Sequence, residues 1–186
     1  MKRFLAILIL AVILITTISC KNDHHKTYQS PKEDPTTATD GENTQAEVIK
    51  NKTFTSNGLT VTLTEDFRKI SLPGYTVCYQ SESVTVIALK ESFSLKEGMK
   101  DWTLFEYANR VQVSNHEHSP TVPQKVGDHM VMEYLFFDSI DYTKYHYYTC
   151  MYKGTDAFWT IQFICKRDEI AQHKANFIKW ADSVRV

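Results

Sequence analysis

Two histidines near the middle of the chain have the residue type and spacing of metal ligands. His116 and His118 flank Glu117 in the segment HEH. In an extended loop alternate side chains point to the same side, so both imidazoles would face one ion. A convergent third ligand is not visible in the sequence. We therefore expect a solvated loop and no metal site, and metal binding here is the alternative.

Cys78, Cys150 and Cys165 have thiols that can act as nucleophiles or pair as disulfides. We expect them to be small core residues. The hairpin predicted below separates Cys150 from Cys165 by about 20 Å, too far for a disulfide, whereas Cys78 could pair with either. The sequence has no G-x-S-x-G, H-E-x-x-H or C-x-x-C motif. It therefore predicts no catalytic residues, no cofactor and no enzymatic activity.

The N-terminal segment has the layout of a secretory signal peptide. Lys2 and Arg3 form a positive start, and residues 4–15 are an unbroken run of apolar side chains. As a helix this run would be about 18 Å long, well short of the roughly 30 Å hydrocarbon core of a bilayer. Residues 1–19 are therefore predicted to be a signal peptide.

Cys20 follows this segment directly. The sequence Thr17-Ile18-Ser19-Cys20 resembles the lipobox of bacterial lipoproteins, although that family prefers Leu at position 17 and Gly or Ala at position 19. The resemblance implies that Cys20 carries a diacylglyceryl thioether and becomes the mature N-terminus, since two acyl chains give a stable anchor. It also implies a location on the extracytoplasmic face of a bacterial cell membrane. The alternative is an unmodified thiol after a plain signal peptide.

Residues 20–51 are predicted to be a disordered, lipid-anchored tether. They contain one aromatic residue, two prolines and mostly polar side chains, too little apolar surface to offset the entropy of ordering. A flexible coil of this length spans roughly 30 Å root-mean-square. Removal of the predicted signal peptide takes away Lys2 and Arg3, so 19 basic residues remain against 22 acidic ones. This slightly negative net charge argues against a nucleic-acid partner.

Residues 52–186 are predicted to form one folded domain. Asn57-Gly58 marks a turn, and apolar residues then alternate with threonines over 59–64, the pattern of a half-buried strand. A hairpin is predicted in 75–89, with its turn near 81–83. A further strand is predicted over 130–137.

Two helices are predicted from their start signals and periodicity. Thr103 and Glu106 form a capping box, which predicts a helix over 104–114. The second helix is expected near the C-terminus, with Asp168 as its N-cap and a short extended end over 183–186. One stripe of this helix holds Ile170, Lys174, Phe177 and Ala181.

The strongest hairpin signal joins two aromatic-rich strands through a turn at 153–156. If Tyr152 pairs with Ala157, one face of the hairpin is almost wholly apolar, and we expect it to be the main core. The other face is not polar either, so the sheet must be covered on both sides. This predicts an α+β fold with an antiparallel sheet sandwiched between helices. The apolar face holds Trp159, Ile161 and Phe163.

The second face of this hairpin mixes aromatic and neutral hydrogen-bonding groups. In the predicted register Tyr147 lies opposite Gln162, and Tyr145 is on the same face. Such a mixture is typical of ligand pockets, where a few polar groups orient a ligand among apolar walls. Tyr145, Tyr147 and Gln162 are therefore the predicted ligand-binding residues. The alternative is that a helix covers this face and each tyrosine hydroxyl finds a backbone partner.

Over about residues 54–186 the chain resembles the PsbP/Mog1 superfamily. The strongest part of the resemblance is the last strand, an acidic helix start, Phe177 within that helix and the closing sequence DSVRV. The usual Pro after the first strand is replaced by Thr64. In particular, the chain resembles small bacterial lipoproteins of the DcrB-like type. This implies an antiparallel sheet between helices and an accessory, assembly or binding role.

The sequence as a whole predicts a membrane-anchored extracytoplasmic lipoprotein that acts as a non-catalytic binding or accessory module. Its expected partners are the membrane, through the lipid on Cys20, and an unidentified protein or small-molecule ligand. The competing hypothesis is a metal-dependent hydrolase that uses the His116/His118 loop.

Overall fold

The computed structural model describes residues 50–186. The predicted signal peptide, Cys20 and nearly all of the predicted tether lie outside the described residues. The described part contains two antiparallel sheets and two α-helices, which confirms the predicted α+β class. No helix within 50–186 has the length and apolar character needed to cross a bilayer.

A two-stranded hairpin opens the domain. Its strands are β1 (Asn51–Ser56) and β2 (Leu59–Thr64). They are joined at Asn57-Gly58, where both residues have positive φ angles of 53° and 90°, as a type I′ turn requires. The apolar positions of β2 are fully buried, which confirms the predicted alternation. This hairpin forms a sheet of its own.

The main sheet has seven strands, all paired antiparallel. In chain order they are β3 (Arg68–Ile70), β4 (Val77–Gln80), β5 (Val84–Ser92), β6 (Gln124–Val126), β7 (His129–Phe137), β8 (Lys144–Lys153) and β9 (Ala157–Lys166). Their spatial order is β3-β4-β5-β9-β8-β7-β6. The predicted strands over 75–89 and 130–137 correspond to β4, β5 and β7.

One helix, α1 (Leu104–Ser114), covers part of one face of the main sheet. The predicted capping box is present: Thr103 Oγ1 accepts from Glu106 N at 3.2 Å, and Glu106 accepts from Thr103 N at 2.7 Å. Tyr107 and Ala108 are buried against the sheet. α1 lies over β7 and β8, and the Tyr107 ring reaches Phe158 on β9, with a centroid distance of 4.3 Å.

The second helix, α2 (Ile170–Ser183), covers the opposite face. Phe177, Trp180 and Ala181 are buried in the same core cluster as β2 and the main sheet, so α2 and the hairpin cover this face together. The predicted N-cap is wrong. A 3₁₀ turn, Arg167–Glu169, precedes α2, and the chain leaves the extended conformation at Lys166, so Asp168 is already inside the turn.

The register of the β8–β9 hairpin differs from the prediction by two residues. Tyr152 pairs with Trp159 and not with Ala157. The cause is the turn, because Gly154 N donates to Ala157 O at 2.9 Å and the turn therefore occupies 154–157. A shift of two leaves every side chain on its predicted face. The predicted apolar core is correct: Trp159, Ile161 and Phe163 are at most 1% exposed.

The three cysteines of the described domain are free and buried. Cys150 and Cys165 belong to the core cluster beneath α2, whereas Cys78 lies in a cluster on the other face of the sheet. The two disulfides that the sequence left open, from Cys78 to Cys150 or to Cys165, are therefore absent. The expectation that these thiols are small core residues is correct.

Removing the hydroxyl of Thr103 should destabilise the domain. The change Thr103→Ala leaves the Glu106 N–H without its cap, and we expect the free energy of unfolding to fall by about 1 kcal/mol. Thr103→Ser keeps the hydroxyl and should stay within about 0.5 kcal/mol of the parent. Urea unfolding followed by circular dichroism measures both. Equal stabilities of the Ala and Ser variants would contradict a capping role.

Candidate functional site: a partly exposed tyrosine face

The face of the main sheet that carries α1 continues beyond the residues that α1 buries. We call this continuation the tyrosine face. Tyr134 is buried at its border with α1, and the other members are partly exposed. The loop between β3 and β4 contributes Tyr75, which packs against the same buried cluster as Tyr145 and Tyr147. The tyrosine face consists of Tyr75, Tyr134, Tyr145, Tyr147 and Gln162.

Stacked rings form the centre of this face. Tyr134 on β7 and Tyr147 on β8 are directly paired, and their ring centroids are 4.8 Å apart at an interplanar angle of 14°. His118 stacks on the other side of Tyr134 at 5.6 Å, and Phe136 packs edge-on against both His118 and Tyr147. The result is a continuous aromatic surface.

Gln162 is the polar group at the centre of the face. Its Nε2 donates to the Tyr134 hydroxyl at 2.7 Å and lies 3.3 Å from Thr149 Oγ1. Tyr145 donates to Asp141 at 3.3 Å. Within residues 50–186 the Tyr147 hydroxyl forms no hydrogen bond, and it is not among the fully buried polar atoms. The phenol of Tyr147 is therefore available to a ligand.

The phenols of this face stay protonated at neutral pH. Burial raises the pKa of Tyr134 to about 12, and the hydrogen bond from Gln162 opposes this only partly. Burial and the neighbouring phenols also raise the pKa of Tyr147, and burial raises that of Tyr75. The face therefore offers aromatic surface and neutral hydrogen-bonding groups, which suit binding.

The structure brings Tyr145, Tyr147 and Gln162 onto one face, as the sequence alternation predicts. It changes their partners: Gln162 lies opposite Thr149, and Tyr147 lies between Tyr134 and Ile164. Sequence analysis did not find Tyr134, although the alternation of β7 places it on the same face. Tyr75 and His118 come from loops, and no sequence signal connects them to this face.

The predicted geometry of the His116/His118 loop is wrong. Residues His116–His118 form a 3₁₀ turn that directly continues α1. Side chains two apart in such a turn point about 120° away from each other, so the two imidazoles do not face one ion. His116 Nδ1 lies 2.9 Å from the Val113 carbonyl. Between residues 50 and 186, no three His, Cys, Asp or Glu side chains converge on a common metal position.

A second polar cluster lies on the opposite face, beneath α2. Glu133 accepts from His146 Nε2 at 2.7 Å and forms an ion pair with Lys174. These contacts hold the pKa of the Glu133 carboxyl below its usual value, with the His146 hydrogen bond as the largest cause. The Lys174 ammonium also lies 4.5 Å from the Tyr148 ring centroid. This cluster joins α2 to β7 and β8, which is a structural role.

Comparison with solved structures identifies the fold. The chain matches the solution structure of cyanobacterial PsbP (CyanoP) from Synechocystis sp. PCC 6803 with a TM-score of 0.50 and 11% identity, over 76% of this chain and 95% of that chain. The domain has a PsbP-like fold. This confirms the fold predicted from the sequence, and at this identity the likeness concerns the fold alone.

Two further solved structures match the PsbP-like domain with lower scores. The Ran-binding protein Mog1p of Saccharomyces cerevisiae matches with a TM-score of 0.46 and 11% identity, over 74% of this chain and 96% of that chain. A protein of Bacteroides thetaiotaomicron VPI-5482 matches with a TM-score of 0.48 and 12% identity, over 73% of this chain. The match spans 48% of that longer chain. No family model and no curated protein sequence matches this chain.

The buried phenol of Tyr134 should make the PsbP-like domain less stable at alkaline pH. An unfolded tyrosine titrates near pH 10, so above this pH the unfolded state binds fewer protons than the folded state and stability falls. The contribution of Tyr134 is fully present below about pH 10 and is lost as the pH rises to about 12. Urea unfolding from pH 8 to 12 should show a shallower decline for Tyr134→Phe than for the parent. Parallel declines would contradict this assignment.

Proposed function

We propose that this chain is a lipoprotein of the bacterial cell envelope whose PsbP-like domain is a non-catalytic binding or accessory module. The anchor is Cys20, and residues up to about 51 connect it to the domain. The observation that carries the binding role is the tyrosine face. The DcrB-like resemblance of the sequence supports the same arrangement of lipid anchor, polar segment and domain.

The chemistry of the tyrosine face indicates the class of ligand. Its rings are stacked and partly exposed, and its phenols are neutral. Tyr147 offers a hydroxyl without a partner among the described residues, and Gln162 holds Tyr134 in place. A matching ligand is uncharged, has apolar surface to stack on the rings and carries a hydrogen-bond acceptor for Tyr147. A protein side chain and a small molecule both meet these requirements.

The anchor is tested by changing Cys20. Cys20→Ala removes the sulfur that would receive the diacylglyceryl group, so the protein should appear either unprocessed or in the soluble fraction. Membrane fractionation and intact-mass measurement check this. Cys20→Ala protein that is processed and sediments with membranes like the parent would overturn the lipoprotein proposal.

The binding face is tested with Tyr147→Phe. Because no described residue forms a hydrogen bond with the Tyr147 hydroxyl and this oxygen is not fully buried, its removal should change the free energy of unfolding by less than about 0.5 kcal/mol. It should weaken capture of the ligand from native membranes, measured by pull-down and quantitative mass spectrometry. Normal capture by Tyr147→Phe would remove the ligand from this face.

Two controls separate binding from folding. Tyr152 lies on the other face, and its hydroxyl donates to Ala181 O at 2.9 Å, so Tyr152→Phe should cost about 1 kcal/mol and leave capture intact. Trp159 is 1% exposed, and Trp159→Ala should cost about 3–5 kcal/mol by opening a core cavity. The two control variants together show how much a loss of folding stability, without a change in the tyrosine face, reduces capture of the ligand.

A further inference from the structure

The end of the β7–β8 hairpin exposes four large apolar side chains. We call this set the apolar finger. Apolar surface concentrated in this way on a soluble domain commonly marks a contact with a protein or a membrane. The exposed fractions are 41% for Leu135, 51% for Phe137, 73% for Ile140 and 79% for Tyr142.

The turn of the finger has a defined conformation. Asp138 Oδ1 accepts from Ile140 N at 2.8 Å, and Asp141 Oδ1 accepts from Thr143 N at 2.9 Å. Tyr142 has a φ of 59°, in the left-handed region that side chains other than glycine adopt at a cost. The two hydrogen bonds fix the conformation of this turn, and in that conformation the side chains of Ile140 and Tyr142 are exposed.

The position of the finger relative to the incoming chain points to its partner. Lys50 O accepts from Glu65 N, and the Glu65 carbonyl accepts from Arg68 at the start of β3. From Arg68 a continuous row of paired residues crosses the main sheet to Tyr134. The finger projects beyond this row. The chain coming from the proposed anchor therefore enters the domain at the same end of the sheet as the finger. Across the sheet, the entry point at β3 and the finger at β7 are separated by five strand spacings, or about 24 Å.

We propose that the apolar finger inserts into the interface of the lipid bilayer to which Cys20 anchors the chain. The proposal rests on the proposed lipid anchor, which places a bilayer within reach of this end of the sheet. Ile140 would enter the boundary of the acyl chains, and Tyr142 would lie at the headgroups, where amphipathic rings are enriched.

Apolar burial and not headgroup charge drives this insertion. The finger carries Asp138 and Asp141, and the hydrogen bond from Thr143 N holds the pKa of Asp141 below its usual value. Lys144 is the nearest basic residue along the chain. The insertion should therefore persist at high salt and in vesicles of zwitterionic phosphatidylcholine.

The test places an environment-sensitive fluorophore on the finger. Ile140→Cys is labelled with NBD in the lipidated protein and reconstituted in vesicles of phosphatidylethanolamine and phosphatidylglycerol. The thioether blocks Cys20, and the other thiols are buried, with burial raising the pKa of Cys165 to about 11. The matched control is Leu95→Cys. The Leu95 side chain is 70% exposed, and it lies near the opposite end of the sheet, three residues after Ser92, which pairs with Ala157.

The expected result is a blue-shifted emission at position 140 that lipids brominated on their acyl chains quench, and an unquenched aqueous emission at position 95. Equal aqueous emission at both positions would overturn the proposal. A blue shift at 140 that grows with protein density and resists brominated lipids would also overturn it, and would assign the finger to a second copy of the chain.

Failure of the anchor is detected separately. The parent chain, without an added cysteine, takes no NBD if Cys20 carries the lipid and one NBD if it does not. In the second case the soluble Cys20→Ser chain with Ile140→Cys is added to the same vesicles. Quenching at 140 would then support the finger without the anchor, and aqueous emission would overturn the finger as well.

Discussion

The architecture depends on a central sheet that is apolar on both faces. Strands β8 and β9 bury alternate side chains in two separate clusters, with Trp159 and Phe163 on one side and Met151 and Phe158 on the other. Such a sheet cannot leave either face to water. Each face therefore requires its own layer, and the two layers are built differently.

The layer on the Trp159 face consists of α2 and the β1–β2 hairpin, and both contact the main sheet. The C-terminal end of α2 is bound to the sheet and to the hairpin. Tyr152 donates to Ala181 O, the Ser183 hydroxyl accepts from Thr62 N at 2.9 Å, and Arg185 pairs with Thr60. The last two contacts link residues more than a hundred positions apart, so the C-terminal residues complete the main core.

The layer on the other face is shorter than the strands it covers, and this produces the candidate site. α1 spans eleven residues, about 16 Å at 1.5 Å per residue, and the ten-residue strands beneath it are about twice as long. The side chains under the helix are Met130, Met132, Met151 and Phe158. Tyr145 and Tyr147 lie beyond it. Tyr147 stacks on Tyr134, and the ring surface that stays exposed here belongs to the tyrosine face.

Local patterns in the sequence are sufficient to predict most elements of this domain. The capping box at Thr103, the Asn57-Gly58 turn and the alternation in β8 and β9 involve residues within a few positions of each other, so short-range physics determines them. The alternation also assigned Tyr145, Tyr147 and Gln162 to one face, because a strand has a period of two whatever its register.

Contacts between distant segments were decided only by the tertiary structure. A 3₁₀ turn, not an extended loop, carried His118 onto Tyr134. β1 and β2 form a sheet of their own and share one buried core with α2 and the main sheet. Each of these outcomes depends on which surfaces remain to be covered once the sheet has formed. That balance belongs to the whole fold, and no short stretch of sequence contains it.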